Sequence, residues 1–438
     1  MKYVPAVLLG AAFSATLTLA SADEAKDLKK VIEDQGIYVE TAKPGIVLSG
    51  YVDAGYTYGF AGSGVRDAGL GTAINRNPND AKAGSDFNLN AFKLSLEKPL
   101  STQNDFSAGF RADLIYGQDA NLDGNANRVG APGTLTTSSS DFWLEQAYVQ
   151  LRAPYGNGID WKVGKFVTPL GYEVVERPAN ANITYGNLFR NMIPVDHTGI
   201  LGSYKFNDIV DVKGGVVNGW NSDNAFNGSN GTTGAGLLAT INFTAPGGNA
   251  NLQNGAYVGL NNGDGSSAAN VLANPAGTTT NDALWVYDVW GQWKPKFAND
   301  KLTLGFNGDV GSYATTVLGA GTNDTMWTGA ALYAKYQFTK IFSLATRTDW
   351  IHSDDGQKFG ANSVGGVYVP AAEDLYSFTV TGSFDLWENV LLRAEYRLDY
   401  GQNVNYTSNT PGGTSTLTTT GTTNGPSHLI DLQVVYSF

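Results

Sequence analysis

The sequence predicts an all-β protein, a transmembrane up-and-down antiparallel β-barrel of 16 strands with a short N-terminal helical segment. Three observations predict it. Glycine supplies 54 of 438 residues beside 22 Tyr, 20 Phe and 9 Trp, while charged residues fall to 16%, well under the roughly one quarter of average soluble chains. From Ile46 onward, apolar and polar residues alternate with the two-residue period of a sheet whose faces meet different surroundings. The connections between alternating stretches are short and long by turns.

Taken in chain order, residues 1–22 read as a secretory signal peptide. Lys2 is the only early charge, Val4 to Leu19 is apolar and small, and Ala20-Ser21-Ala22 forms a cleavage pattern ahead of Asp23. Residues 23–43 carry helical spacing, with Leu28, Val31 and Ile32 against Asp27, Lys30 and Asp34 up to Gly36, and are expected on the periplasmic side. The barrel occupies 44–438. Beyond residue 22 no stretch approaches the roughly 18 apolar residues that a membrane helix needs.

The sixteen strands fall at 46–60, 87–98, 105–117, 142–152, 159–166, 197–206, 209–220, 236–245, 252–260, 283–294, 301–313, 326–338, 341–352, 374–384, 390–400 and 427–438. Phe106, Ala108, Phe110, Ala112, Leu114 and Tyr116 share one parity, while Ser107, Gly109, Arg111 and Asp113 share the other. Near the end Leu392, Ala394, Tyr396 and Leu398 alternate with Arg393, Glu395, Arg397 and Asp399. No helix would segregate such a series. Tight connections such as Asn207-Asp208 and Thr339-Lys340 take turns with long ones rich in Gly, Asn, Asp, Ser and Thr, which places both termini at the tight end.

With no second layer to cover them, the apolar faces must meet lipid and the charged faces must enclose water, because sixteen strands make a cylinder too wide for side chains to fill. Rings near strand ends, among them Tyr56, Tyr58, Phe60, Trp285, Trp293, Trp327, Phe338, Phe342 and Tyr436, fit interfacial girdles. The competing all-β architectures, a propeller or a carbohydrate-binding sandwich, would need four-strand units with a shared motif or a second sheet.

The composition also excludes chemistries. With no Cys, there are no disulfides, thiolate metal sites or cysteine nucleophiles. The three His, at 197, 352 and 428, are scattered, and a net charge of −12 argues against a nucleic-acid partner. Asp119, Asn121, Asp123 and Asn125 resemble the opening of a calcium loop, but Gly130 stands where a bidentate Glu belongs. His352 among Asp349, Asp354 and Asp355 reads as a solvated strand end. No metal, cofactor or enzymatic site is expected.

The stretch WKVGKFVTPLGYEVVERPANANITYGNLFRNMIPVD, from Trp161 to Asp196, followed by HTGILGSY and preceded by FWLEQAYVQLRAPYGNG, resembles the central signature of the OmpL-like β-barrel porin family. The resemblance is specific over residues 141–206 and holds at the level of pattern elsewhere. It implies a porin of a Gram-negative bacterial outer membrane, passing ions and small hydrophilic solutes. It also implies assembly by the barrel-assembly machinery, whose recognition signal resembles the terminal Phe438, and a homotrimer.

The third long loop, 167–196, differs from the Gly-Ser-Thr filler of the others. It carries Tyr172, Glu173, Glu176, Arg177, Tyr185, Arg190 and Asp196 with three prolines. Ordered loops with many anchoring side chains tend to be functional, and by resemblance this one narrows the lumen. Its carboxylates would attract cations. Facing them from the wall are Arg111, Asp113, Lys213, Arg347, Asp349, Arg393, Glu395 and Arg397. Two alternatives remain open: a sugar-specific channel in which Tyr172, Tyr185 and Phe189 stack on the solute, and a surface structural or adhesive barrel with a closed lumen.

Overall fold

The computed structural model describes residues 45–60, 85–120, 122, 142–221, 235–259, 284–317, 321–353, 361–364, 367–370, 374–402 and 426–438. The expected signal peptide, the expected helix within 23–43 and most of the calcium-like loop lie outside them. The strands are β1 (Val47–Gly59), β2 (Ser85–Lys98), β3 (Ser107–Tyr116), β4 (Phe142–Ala153), β5 (Ile159–Val167), β6 (Asp196–Lys205), β7 (Val210–Val217), β8 (Gly236–Thr244) and β9 (Ala250–Gly259). They continue with β10 (Trp285–Trp293), β11 (Leu302–Val317), β12 (Gly321–Gln337), β13 (Phe342–Ser353), β14 (Ala361–Val364), β15 (Val367–Pro370), β16 (Asp374–Trp387), β17 (Val390–Gln402) and β18 (Ser427–Ser437).

Sixteen of these close one antiparallel barrel in sequence order, and β14 and β15 form a separate two-stranded sheet within the connection from β13 to β16. Closure is made by β1 against β18, from Tyr51 opposite Ser437 to Gly59 opposite Leu429. Gly50 and Phe438 extend that seam by exchanging two backbone hydrogen bonds of 2.9 and 3.0 Å. A closed ladder leaves no strand edge unpaired, which a hydrocarbon environment demands. No helix among the described residues is long and apolar enough to cross a membrane; the strands are the crossing elements.

Each predicted strand is present, with informative differences at the ends. Strands β11 and β12 run on to Val317 and from Gly321, so the expected loop 314–325 shrinks to three residues. Its Gly and Thr content reads as a loop, but a hairpin ladder can absorb such residues. Strand β16 reaches Trp387 past an irregularity at Asp385. The connection to β17 is then only Glu388-Asn389, where Asn389 takes a left-handed φ of 66°, a conformation that Asn tolerates better than most residues.

The two faces separate as the alternation predicts. In β1 Asp53 is fully buried while its neighbour Val52 is 37% exposed. In β17 Arg393, Glu395, Arg397 and Asp399 are buried inside while Tyr396 and Tyr400 are exposed outside. The outer surface carries a large number of exposed Leu, Val, Ile, Phe, Tyr and Trp side chains, the reverse of a water-soluble sheet protein. Outward rings gather at both rims: Tyr56 with Phe87 and Tyr58 with Phe60 at the long-loop end, Phe338 with Phe342 and Phe342 with Phe384 at the tight end. Trp327 departs from the girdle expectation. It is inward and 1% exposed, meeting Trp220 edge-on.

Candidate functional site: a loop bonded to the lumen wall

Between β5 and β6 the chain runs from Thr168 to Val195 with little regular structure, a 3-10 turn at Arg177–Ala179 and one α-helical turn, α1, at Asn187–Asn191. Prolines 169, 178 and 194 and the loop's length discourage a ladder. An irregular segment must find partners for its backbone groups elsewhere, and this one finds them on the inward side chains of the barrel. Its apolar residues Leu170, Val175, Ile183, Leu188, Phe189, Met192, Ile193 and Val195 are all buried in a common cluster with inward rings of the wall, save Ile183, which is buried outside it.

The anchors follow the wall around. The carbonyl of Pro169 accepts from Gln253 of β9 at 2.6 Å. The amide of Gly171 donates to Asp288 of β10 and that of Tyr172 to Asn307 of β11, both at 3.0 Å. The Tyr172 ring stacks on Tyr333 of β12 with centroids 4.2 Å apart. Glu173 meets Arg347 of β13 at 2.8 Å and also accepts from the amide of Gly186 at 2.6 Å. Asn182 donates to Thr381 of β16 at 2.7 Å.

On β17, Glu395 accepts from the amides of Ile183 and Thr184 and from the Thr184 hydroxyl, at 2.5, 3.0 and 2.5 Å. Arg393 donates to the carbonyls of Arg177, Asn180 and Asn182, and Arg397 to the carbonyl of Tyr185 at 2.6 Å. Asp349 accepts from the Asn187 side chain at 2.7 Å while pairing with Arg347 at 3.2 Å. Wall arginines thus cap loop carbonyls and wall carboxylates cap loop amides, charge-assisted bonds of the stronger kind.

A second group holds the other flank. The Lys93 ammonium of β2 lies 2.5 Å from Glu145, 2.5 Å from Glu176 and 3.4 Å from Asp113. The ladder between β3 and β4 shifts at Asp113 and Leu114, passing over Glu145, so that Glu145 and Gln146 are both buried although adjacent. The carboxylate oxygens of Asp113, Glu145 and Glu176 lie within 4.8 Å of one another, close enough for a metal, but the Lys93 ammonium already sits among them. Arg177 completes this flank with Asp119 at 2.7 Å.

Electrostatics of the loop follow from these partners. Burial alone would raise the Glu176 carboxyl, but Lys93 outweighs it and holds the group below the usual carboxylate range. Burial pushes Glu173 up despite Arg347, and Asp119 up despite Arg177.

Of the residues expected at the constriction, Tyr172, Glu173, Glu176, Arg177 and Tyr185 are bonded into this assembly. Arg190 lies in α1, half-buried and within electrostatic reach of Asp119. Asp196 is the first residue of β6 and pairs with Lys165 at 3.1 Å, so it belongs to the wall and not to the loop. Arg347, Asp349, Arg393, Glu395 and Arg397 all reach the loop. Arg111 and Asp113 pair with each other at 2.9 Å on the β2 to β4 side, and Lys213 stands apart on β7. Sequence reading missed Lys93, Glu145, Gln253, Asp288 and Asn307, and it set Asp119 in a calcium-like loop where the structure pairs it with Arg177. On β2, β9, β10 and β11 the side chains of Lys93, Gln253, Asp288 and Asn307 alternate with outward Phe92, Leu252, Tyr287 and Phe306, but alternation does not tell which inward residue a distant loop will touch.

The family model described as "Putative beta-barrel porin-2, OmpL-like" matches residues 45–424. A comparison with curated proteins finds no matching sequence. Among solved structures the chain is similar to the outer membrane channel DcaP of Acinetobacter baumannii, at 12% identity and TM-score 0.55, covering 90% of this chain and 97% of that one. It is similar to an anion-selective porin from Comamonas acidovorans, at 10% identity and TM-score 0.56, covering 90% and 99%. The trimer form of OmpT from Vibrio cholerae matches at 9% identity and TM-score 0.50, again covering 90% and 99%. At such identities the likeness is one of fold.

Proposed function

The chain belongs to the OmpL-like β-barrel porin family, and from that premise we propose that it is a passive diffusion channel of the bacterial outer membrane whose water-filled lumen is narrowed by residues 168–195. The observation that carries the reading is the inversion of its faces: ionised and amide side chains inside, aliphatic and aromatic ones outside. Solutes cross by diffusion, with size and charge at the narrowed level setting what passes and no covalent chemistry involved.

In this reading the leader of residues 1–22 exports the chain, the tight turns and both termini face the periplasm, and the long loops face outward. The barrel-assembly machinery inserts it among outer-membrane lipids. Three copies associate, a proposal supported by the trimer form of OmpT. The sugar-channel alternative loses its platform, since Tyr185 stacks on Phe189 at 5.1 Å with both rings buried, and Tyr172 is covered by Tyr333. Those rings hold the loop.

Planar-bilayer recording on refolded, detergent-purified protein tests the reading. Stepwise, ohmic conductance proportional to salt concentration is expected. Folded protein that inserts but stays silent would instead support a closed structural or adhesive barrel.

A further inference from the structure

Most lumen charges are paired within the protein, and two lysines without an ion pair lie together, apart from Lys335 on the distant strand β12, which takes the inward parity of Tyr333. Lys162 lies between outward Trp161 and Val163 of β5, so its side chain enters the lumen, where the ammonium sits 4.6 Å from the centre of the buried Tyr148 ring. Lys213 of β7 takes the parity of inward Val217, opposite outward Val216. The two lysines flank β6, where Leu201 pairs with Lys162 and Ser203 with Lys213. Among the described residues neither ammonium has a carboxylate within ion-pair distance.

Acids on the flanking strands have other bonded partners. Asp160 is gripped by Arg152 through two bonds of 2.6 Å, Asp211 accepts from Asn242 at 2.9 Å, and Glu97 pairs with Arg111 at 3.3 Å. Asp288 and Asp309, opposite each other on β10 and β11, are buried where Gly171 and Tyr172 of the loop dock. Apart from Thr168, whose hydroxyl meets His197 at the start of β6 at 3.1 Å, the loop's bonded anchors within the barrel lie on β2, β9 to β13, β16 and β17, and the stretch of β5 to β7 around Lys162 and Lys213 carries none. Two ammonium groups without an ion pair, one of them balanced only through space by Asp211, call for mobile counter-ions where low-dielectric walls focus their field.

We propose that Lys162 and Lys213 form an anion-binding station in the lumen, so that the channel passes small inorganic and carboxylate anions in preference to cations although the whole chain carries −12. This inference rests on the porin reading. Most of the chain's acidic surplus does not count at the station, since distant exposed charges are screened beyond about 8 Å at physiological ionic strength.

The test is the reversal potential of the refolded protein in a potassium chloride gradient, for the wild type and for the double variant Lys162→Gln, Lys213→Gln, with inorganic phosphate added as a competing anion. The wild type should show the sign of chloride preference, and phosphate should reduce its chloride current. The double variant should lose the phosphate effect and shift toward potassium. Glutamine keeps length and polarity, and a gel shift between heated and unheated samples confirms folding. A conducting wild type that prefers potassium, or a reversal potential the same in both proteins, overturns the inference and leaves the porin reading intact. A folded but silent barrel overturns both.

Discussion

Replacing Arg347 with alanine is expected to release the lumen loop and to raise single-channel conductance and its noise. The guanidinium is 1% exposed and bonds Glu173 at 2.8 Å, the carbonyl of Thr184 at 2.6 Å and the hydroxyl of Thr379 at 3.1 Å, beside Asp349 at 3.2 Å. Its loss strands two buried carboxylates. Breaking one partner of a buried pair costs about 3–5 kcal/mol, which would shift loop docking by roughly two to nearly four powers of ten. The remaining tethers on β17 and β2 do not replace it, since Glu395 and Lys93 hold other loop positions. Limited proteolysis should then cut within 168–195, where the wild type resists. An alanine variant with unchanged conductance and unchanged resistance would remove the anchoring role.

Leu332→Arg is expected to cripple insertion and refolding. Leu332 lies mid-strand on β12, opposite Phe306 and Thr348, and is 62% exposed on the outer face. An arginine on the lipid face near the bilayer centre costs about 2–4 kcal/mol, and that cost has no lumen water to relieve it. The same substitution at inward Ser203, on the open side of the lumen, should refold into lipid vesicles at wild-type yield. Yields are read from the heat-dependent gel shift. Equal refolding of both variants would mean that the outer face does not meet hydrocarbon.

The barrel was legible because its two faces meet different media, and in β17 that difference is written residue by residue from Arg393 to Tyr400. Strand ends were less legible. Gly and Thr around 314–325 carry no facing preference, so the extension of β11 and β12 left no mark, nor did the small β14 and β15 sheet. The loop 167–196 stood out by its charged and aromatic content, yet content does not give partners. The pairing of Glu173 with Arg347 spans 174 positions, and parity assigns Arg347 to the lumen without fixing its height. The same limit explains Lys213, which shares the lumen face with Arg347 but lies on the wall that the loop leaves bare. Glu145 turns inward only through a register shift, a local event that strict alternation hides.

The central claim is that one face of the cylinder meets water and the other meets lipid, and the chain has no native Cys to interfere with testing it. Single cysteines introduced in turn from Val210 to Val216 on β7, in protein reconstituted into vesicles, should react with a membrane-impermeant thiol reagent in strict alternation. Positions 211, 213 and 215 should be modified and 210, 212, 214 and 216 protected. Uniform reactivity along the strand, or the opposite alternation, would contradict the account.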